Sequence, residues 1–577
     1  MIRLLKKFRP IDWLLALIVV IFVVGQVYFD LKLPEYTKEI ITRMINPLAT
    51  SKDIWSTGGR MLLVCLANIG CTIVLGLIST IIATNFAKRL RLEVFEKVES
   101  FSLEEMADFE TASLITRTTN DIQQVQMGYG MSLRMLIAAP VTAVWAIIKI
   151  KNTSLTLSLS VGAAIVSLLL LLIIVFIVVL PRFKRIQKLT DALNNVTREN
   201  LTGLRVVRAY DAEDYQKEKF EQANINLTKN NLIANRIMGL MMPAMSMVMS
   251  GISLIVFWIG AYQIDKDVIV YADLQTFSSY SIQILLSFMM VAMLLIMIPR
   301  ASVAAKRILE VLDTQNKIKD PSDYKTIEGE ATLEFKNVTF KYPNGDAPVV
   351  DDISFKVSSG QTLAIIGSTG AGKTTIMNLI PRFYDTTKGD IFVNGNNIKD
   401  YRKSDLRQVI GYVPQKRFLF AGTIKSNISY GVESLSDEDM VNAAHLAMAD
   451  EFIDEMPEKY DSHIAQGGKN VSGGQMQRLC IARAIAKKPS IYLFDDSFSA
   501  LDYKTDKEVR RRLKEKTKDA VTVIVAQRIG TIKDADKIIV LDDGKVVGYG
   551  NHEELLSNCN VYKEIALSQL SKEELGL

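Results

Sequence analysis

TLAIIGSTGAGKTTIMNLI, residues 362–380, decides how the second half of this chain folds. A short apolar run reads as a buried strand, a G-x-x-x-x-G-K-T loop follows, and an apolar-periodic stretch then reads as a helix. Glycines 367, 370 and 372 let successive backbone N–H groups turn inward around phosphates, and the helix start adds a favourable dipole. Lys373 is placed to reach terminal phosphates and the Thr374 hydroxyl to bind Mg²⁺. The candidate ATP-binding set on this stretch is Gly367, Ser368, Thr369, Gly370, Ala371, Gly372, Lys373, Thr374 and Thr375.

Working outward, short strands and helical stretches alternate from about Thr326, an α/β pattern. FKYPNGDAPVV (340–350) sets Tyr342 about 25 residues before the loop, where an aromatic ring can stack on adenine. GYVPQKRFLFAGTIKSNI (411–428) carries Gln415, a further candidate for the metal and the attacking water. NVSGGQMQRLCIARAI (470–485) opens a helix with Ser472, Gly473, Gly474 and Gln475, a second terminus ready for an anion. In IYLFDDSFSALD (491–502) an apolar strand delivers two acids. Asp495 suits a nucleotide's magnesium, reached through water, and Asp496 stands where a water-activating base belongs. Ser499, Ala500, Leu501 and Asp502 follow, and VTVIVAQRIGTI (521–532) supplies one more strand and Gln527.

The first half is different. At 577 residues the chain has room for several domains. Its mean hydropathy is slightly positive although 23% of residues are charged, so a strongly apolar part is joined to an ordinary soluble one. Six stretches suit a bilayer crossing: Trp13 to Tyr28, Met61 to Phe86, Met131 to Ile150, Leu155 to Leu180, Met238 to Ile264 and Leu274 to Ile298. The first follows LLKKFR and has no small-residue cleavage site after it, so it reads as a retained helix. AKRLRLEVFEK (87–97) and PRFKRIQK (181–188) follow spans two and four, whereas QIDKDVIVYAD (263–273) between spans five and six is acidic. This charge pattern puts the N-terminus and everything after span six in the cytoplasm, with Lys149 and Lys151 a mild exception. A net charge of +5 distributed in this way fits membrane topology and gives no reason to expect nucleic acid. The scattered Cys65, Cys71, Cys480 and Cys559 imply neither a disulfide framework nor a zinc site.

The connections around 87–126 and 181–236 are long, charged and helix-forming, so membrane helices are expected to run on into the cytoplasm. Their tips, 110–121 and 200–214, are candidate contact points for a partner domain. IMGLMMPAMSMVMS (237–250) and SFMMVAMLLIMIP (287–299) are thick with methionine, which suits either a repacking ligand surface or lipid-facing filler. Asn68 and Gln283 either face a cavity or pair between helices. The polar stretch 313–330 reads as a linker between a membrane domain (1–312) and a nucleotide domain (331–577).

Taken together, in this order, the motifs resemble those of an ATP-binding cassette exporter half-transporter, and the likeness covers nearly the whole chain. It implies an α-helical six-span transmembrane domain of the type I (type IV) exporter fold, fused to an α/β P-loop nucleotide-binding domain. The resemblance assigns Tyr342 to the A-loop, 367–374 to Walker A, Gln415 to the Q-loop and 472–475 to the signature. Ile491 to Asp495 match Walker B, 499–502 the D-loop, Gln527 the switch, and 110–121 with 200–214 the coupling helices. In this family two cassettes close head to tail, each ATP lying between one chain's Walker motifs and the other's signature. The cofactors it implies are ATP and Mg²⁺.

Two residues depart from the family pattern. The residue after the Walker B aspartate is normally glutamate and the switch residue histidine, but here they are Asp496 and Gln527. Aspartate is shorter by one methylene, on the order of 1.3 Å of reach, and a misplacement near 1 Å can lower a rate about 100-fold. Glutamine cannot carry the positive charge available to imidazole. The only histidines, His445, His463 and His552, lie outside 521–531. The signature, by contrast, is complete apart from Val471. The expectation is a heterodimer in which this chain's Walker site binds ATP and cleaves it slowly while its signature serves a non-identical partner. The cargo would be amphipathic or apolar, and the location the cytoplasmic membrane of a prokaryote. Gln466, where an acid is common, is a further departure. A homodimeric exporter or a lipid or peptide flippase remains open, as does an ATP-binding regulatory or channel-like membrane protein.

Overall fold

The computed structural model describes residues 2–151, 154–343 and 345–575. Two compact units emerge: residues 1–99 with 111–314, and residues 100–110 with 315–577.

Among the described residues the first unit is built from six long helices with short ones between them: α1 (Pro10–Ile45), α2 (Ser51–Glu99), the short α4 (Thr111–Thr118), α5 (Asn120–Ile150), α6 (Leu155–Thr202), the short α7 (Leu204–Ala209), α8 (Glu213–Asp265) and α9 (Tyr271–Asp313). The short α3 (Leu103–Ala107) belongs to the second unit. Among the described residues six helices are long and apolar enough to cross a membrane. Each of the six apolar stretches falls inside one of them. Helices α2, α6 and α8 span 49, 48 and 53 residues, about 70–80 Å at 1.5 Å per residue. That is more than twice a hydrocarbon core of about 30 Å, so the expected extensions are continuous helix. Within this unit α6 packs along α8, α5 along α9 and α1 along α2. Pro34, Pro140, Pro181, Pro243 and Pro299 sit inside helices, a usage tolerated in membrane spans.

The second unit carries an antiparallel sheet and a mostly parallel one. The first has the order β2-β1-β4-β5, from β1 (Thr332–Phe340), β2 (Val350–Ser358), β4 (Lys388–Val393) and β5 (Asn396–Asn397). The second has the order β12-β11-β3-β10-β9-β6. Its strands are β3 (Thr362–Gly367), β6 (Ile410–Val413), β9 (Ile491–Asp495), β10 (Val521–Val525), β11 (Lys537–Asp542) and β12 (Lys545–Gly550), the last antiparallel. A short ribbon pairs β7 (Gly422–Thr423) with β8 (His463–Ile464).

The central strands are buried on both faces, which is why they read as unbroken apolar runs. Leu363, Ile365, Ile491 and Leu493 enter one core, while Ala364, Ile366, Tyr492 and Phe494 enter the other. The parallel register aligns Val525 with both Ile365 and Asp495. The loops that leave β3, β9 and β10 therefore emerge side by side, at the carboxyl edge where such sheets bind ligands.

Candidate nucleotide site

Helix α10 (Lys373–Leu379) starts at once after the glycine loop. Gly372 has φ 93°, and a Cβ there would stand 2.6 Å from the Val349 carbonyl oxygen. Gly367 is tighter still: a Cβ would lie 2.2 Å from the Leu541 carbonyl oxygen of the neighbouring strand. Both positions therefore need glycine for backbone packing as well as for phosphate approach. Ser368, Thr369 and Gly370 are exposed, while Ala371 and Thr375 are buried beneath the loop. The Lys373 ammonium donates to the carbonyls of Gly367 (2.8 Å) and Ser368 (2.6 Å), curling over its own loop. Burial holds its pKa below the ordinary lysine value, against the opposing pull of Asp495 and Asp496.

Tyr342 is fixed on three sides. Its ring meets Phe340 and Tyr384 edge-on, at 4.8 and 5.3 Å between centroids. Its hydroxyl lies 3.1 Å from that of Thr375 on α10. A planar ligand resting on this ring therefore lies within one helical turn of the phosphate loop.

Asp495 ends β9 fully buried. The Thr374 hydroxyl donates to its Oδ1 at 3.4 Å, and among the described residues Oδ2 has no hydrogen-bond partner. Burial, then the neighbouring Asp496, pushes its pKa up to about 6. A buried carboxylate with an idle oxygen beside a hydroxyl is an oxygen donor set that fits a small hard cation such as Mg²⁺. Thr374 and Asp495 would hold it, and once bound it would neutralise phosphate charge. Gln415, the third residue expected there, places its side chain on the adjacent Asp496.

Asp496 sits at φ 47°, a left-handed conformation that aspartate tolerates better than glutamate. Its N–H donates to the Val525 carbonyl at 3.0 Å, tying the end of β9 to β10. Gln527 Nε2 donates to its Oδ2 at 3.1 Å, and the Ser499 hydroxyl donates to its backbone carbonyl at 3.0 Å. Burial raises the Asp496 pKa, opposed by Ser499, Gln415, Lys373 and Arg528. The structure thus gathers Lys373, Thr374, Gln415, Asp495, Asp496 and Gln527 into one cluster.

The signature residues lie elsewhere. Ser472 caps α11 (Gly473–Ala486) by accepting from the Gln475 N–H at 3.2 Å, while Gln475 Oε1 accepts from the Ser472 N–H at 2.9 Å. Among the described residues no hydrogen bond joins 472–475 to 367–374. Ser472 and Gly473 are exposed, and a Cβ at Gly474 would lie 3.6 Å from the Ala500 carbonyl oxygen. Leu501 is buried. Asp502 caps α12 (Tyr503–Lys516), accepting from the Thr505 N–H at 3.0 Å.

Three contributors carry no motif. Arg417 donates to the Gly473 carbonyl at 3.4 Å, linking the Gln415 loop to the signature turn. Tyr384 buttresses Tyr342. Gln569 donates to the Gln527 carbonyl and accepts from the Ile529 N–H, both at 2.8 Å, so the C-terminal tail grips the switch segment. Nothing around Gln569 in the sequence advertises that reach of 42 residues.

Comparison with known proteins agrees with this geometry. Residues 350–499 match the ABC transporter family and residues 15–289 the ABC transporter transmembrane region. An uncharacterized ABC transporter ATP-binding protein of Mycobacterium tuberculosis (strain CDC 1551 / Oshkosh) is 38% identical, over 99% of this chain and 98% of its own. An ATP-dependent lipid A-core flippase of Syntrophus aciditrophicus (strain SB) is 30% identical over 89% and 86%. The structure of a bacterial Atm1-family ABC exporter with ATP bound superposes with a TM-score of 0.82, covering 97% of this chain and 99% of that one at 23% identity. That likeness speaks for the fold. With its six-span membrane region and its cassette, this multi-pass chain belongs to the ABC transporter family as a half-transporter of the exporter type.

Proposed function

We propose that the chain is one half of a heterodimeric exporter in a prokaryotic cytoplasmic membrane, moving amphipathic small molecules or lipids. Its own Walker site holds ATP and Mg²⁺ through Tyr342, Gly367–Thr375 and Asp495, and hydrolyses ATP slowly. Its signature, Ser472 to Gln475, completes the site on the partner's Walker motifs, where a longer acid does most of the hydrolysis.

One observation carries this reading: the shortened acid and the switch residue bind each other. Gln527 Nε2 lies 3.1 Å from Asp496 Oδ2. A general base has to offer an oxygen to water, and here one of the two carboxylate oxygens already accepts from a neutral amide. The capped signature helix, meanwhile, shows no defect. ATP sandwiching then closes the two cassettes, and the helical extensions of α2, α6 and α8 carry the movement into the membrane, an alternating-access scheme. At the slow site, bound ATP acts as a clamp.

The lipid alternative for the cargo draws on the 30%-identical relative named as a flippase. The test is the ATPase rate of the purified chain alone and co-assembled with a second, non-identical half-transporter from the same organism. Low turnover alone and high turnover in the pair support the proposal; robust turnover from this chain by itself overturns it.

A further inference from the structure

The two intramembrane amides, Asn68 on α2 and Gln283 on α9, converge on a third helix. Asn68 Nδ2 donates to Asp30 Oδ1 on α1 at 2.6 Å, and Gln283 Nε2 reaches the Asp30 backbone carbonyl at 3.4 Å. Asp30 lies three residues after Val27 and four before Pro34, both buried, so it belongs to the stripe α1 turns inward. It stands at the end of the apolar stretch of span one, while the two amides lie within spans two and six.

The hydrogen-bond balance of this cluster is lopsided. Among the described residues Asn68 Oδ1 and Gln283 Oε1 are buried and accept nothing, and Asp30 adds a carboxylate that a single amide serves. Three side chains gathered at one point thus carry more acceptors than the donors that reach them. Helix-to-helix glue would pair them off. Nor does a local cation fill the gap. Lys32 and Lys149 both go to Glu35, Lys38 to Asp273 and Arg43 to Glu39. Among the described residues Asp30 has no ion pair.

The surroundings supply the other half of a binding site. Val27 and Leu31, which flank Asp30, share one apolar cluster with Met245 and with the partly buried Met241, Met249 and Met289. Methionine surfaces repack around apolar bodies of different shape. A carboxylate with two idle amide oxygens, beside such a surface, complements a molecule with an apolar body and a positively charged head that donates hydrogen bonds.

We infer that Asp30, Asn68 and Gln283 form a recognition point for the primary ammonium head of an amphipathic cation. This names the head-group chemistry of one cargo class, and it rests on the export reading only for the direction of movement. Binding is measured without hydrolysis, so the two readings fail separately.

The experiment uses the full chain in zwitterionic-lipid nanodiscs with a dansyl-alkyl primary amine, whose fluorescence reports binding, and empty discs as background. A trimethylammonium analogue has the same charge and no N–H donors, and sodium chloride is titrated as a competitor. Wild type should bind the amine several-fold tighter than the trimethyl analogue. Asp30→Asn should weaken amine binding by about tenfold or more, since charge-assisted bonds are the strong ones. The double variant D30N/N68D, which moves the charge to the neighbouring helix, should recover it. Unchanged binding of a fluorescent ATP analogue shows that each variant is folded. Equal amine affinity in wild type and Asp30→Asn overturns the inference, as does equal affinity of the amine and trimethyl probes. Displacement of the probe by millimolar sodium also overturns it, pointing to an inorganic cation site. The probe comparison on wild type needs no variant, so a variant that fails to fold leaves the inference testable.

Discussion

The amide of Gln527 donates to the carboxylate of Asp496 across 3.1 Å, joining two of the positions at which the sequence departs from the motif pattern it resembles. The two side chains we assign to steering a γ-phosphate and to holding water are bonded to each other, and Gln415 also lies on Asp496. The two changes therefore work as a unit, and restoring one alone leaves the other misdirected.

Asp496→Glu should raise the turnover of this chain's own site, and Asp496→Glu with Gln527→His should raise it further, by about 10- to 100-fold over the parent. Single-turnover hydrolysis by the assembled transporter, with the partner's base disabled, isolates this site. The left-handed backbone at Asp496 disfavours glutamate, so both variants should melt slightly lower than the parent.

Gln569 offers a sharper separation of positioning from stability. Replacing it by alanine strands the N–H of fully buried Ile529, which costs about 1–3 kcal/mol. Gln569→Glu keeps an acceptor for that N–H and loses the donor to the Gln527 carbonyl. The alanine variant should lose both thermal stability and ATPase activity. The glutamate variant should keep most of its stability while ATPase falls, because a carboxylate then faces the Gln527 carbonyl. Melting curves and ATPase rates on the same samples check both outcomes.

How much of this was legible in the sequence follows from what each motif needs. The strand, loop and helix of 362–380 are local, so the apolar run, the glycines and Lys373 announce them together. Span positions are equally plain, because a bilayer demands a minimum apolar length; the helices continue past them because charged, helix-forming sequence does. Asp30 has no such local signal, for the opposite reason. It sits beyond the apolar run, and only the packing of α1 against α2 and α9 brings it to Asn68 and Gln283. The grip of Gln569 is likewise a tertiary contact between a tail and a switch segment, with no local pattern to betray it. Grouping of residues 100–110 with the cassette unit, just before the 110–121 tip, depends on bonds such as the Lys317 N–H to Glu105 Oε1 at 2.9 Å, which no periodicity encodes.

His552 should make the cassette sensitive to acid. Its Nδ1 lies 2.7 Å from the Tyr562 hydroxyl, bonding α13 (His552–Asn558) to α14 (Asn560–Leu567). Burial, then Lys533, holds its pKa below the ordinary imidazole value, with Asp534 and Glu553 opposing. The fold thus favours neutral imidazole. Its contribution is present above the unfolded pKa, about 6.5, and is lost as pH falls through the lowered folded value. Thermal midpoints should drop between about pH 7.5 and about pH 5, and His552→Gln should flatten part of that slope.

The most direct test of the account is the Asp496→Asn variant of this chain, assembled with its partner, set beside the matching amide substitution of the partner's base. ATP turnover should survive largely intact in the first and collapse in the second. Collapse in the first would show that the short carboxylate activates water after all, and the asymmetric transporter proposed from the Asp496–Gln527 pair would be wrong.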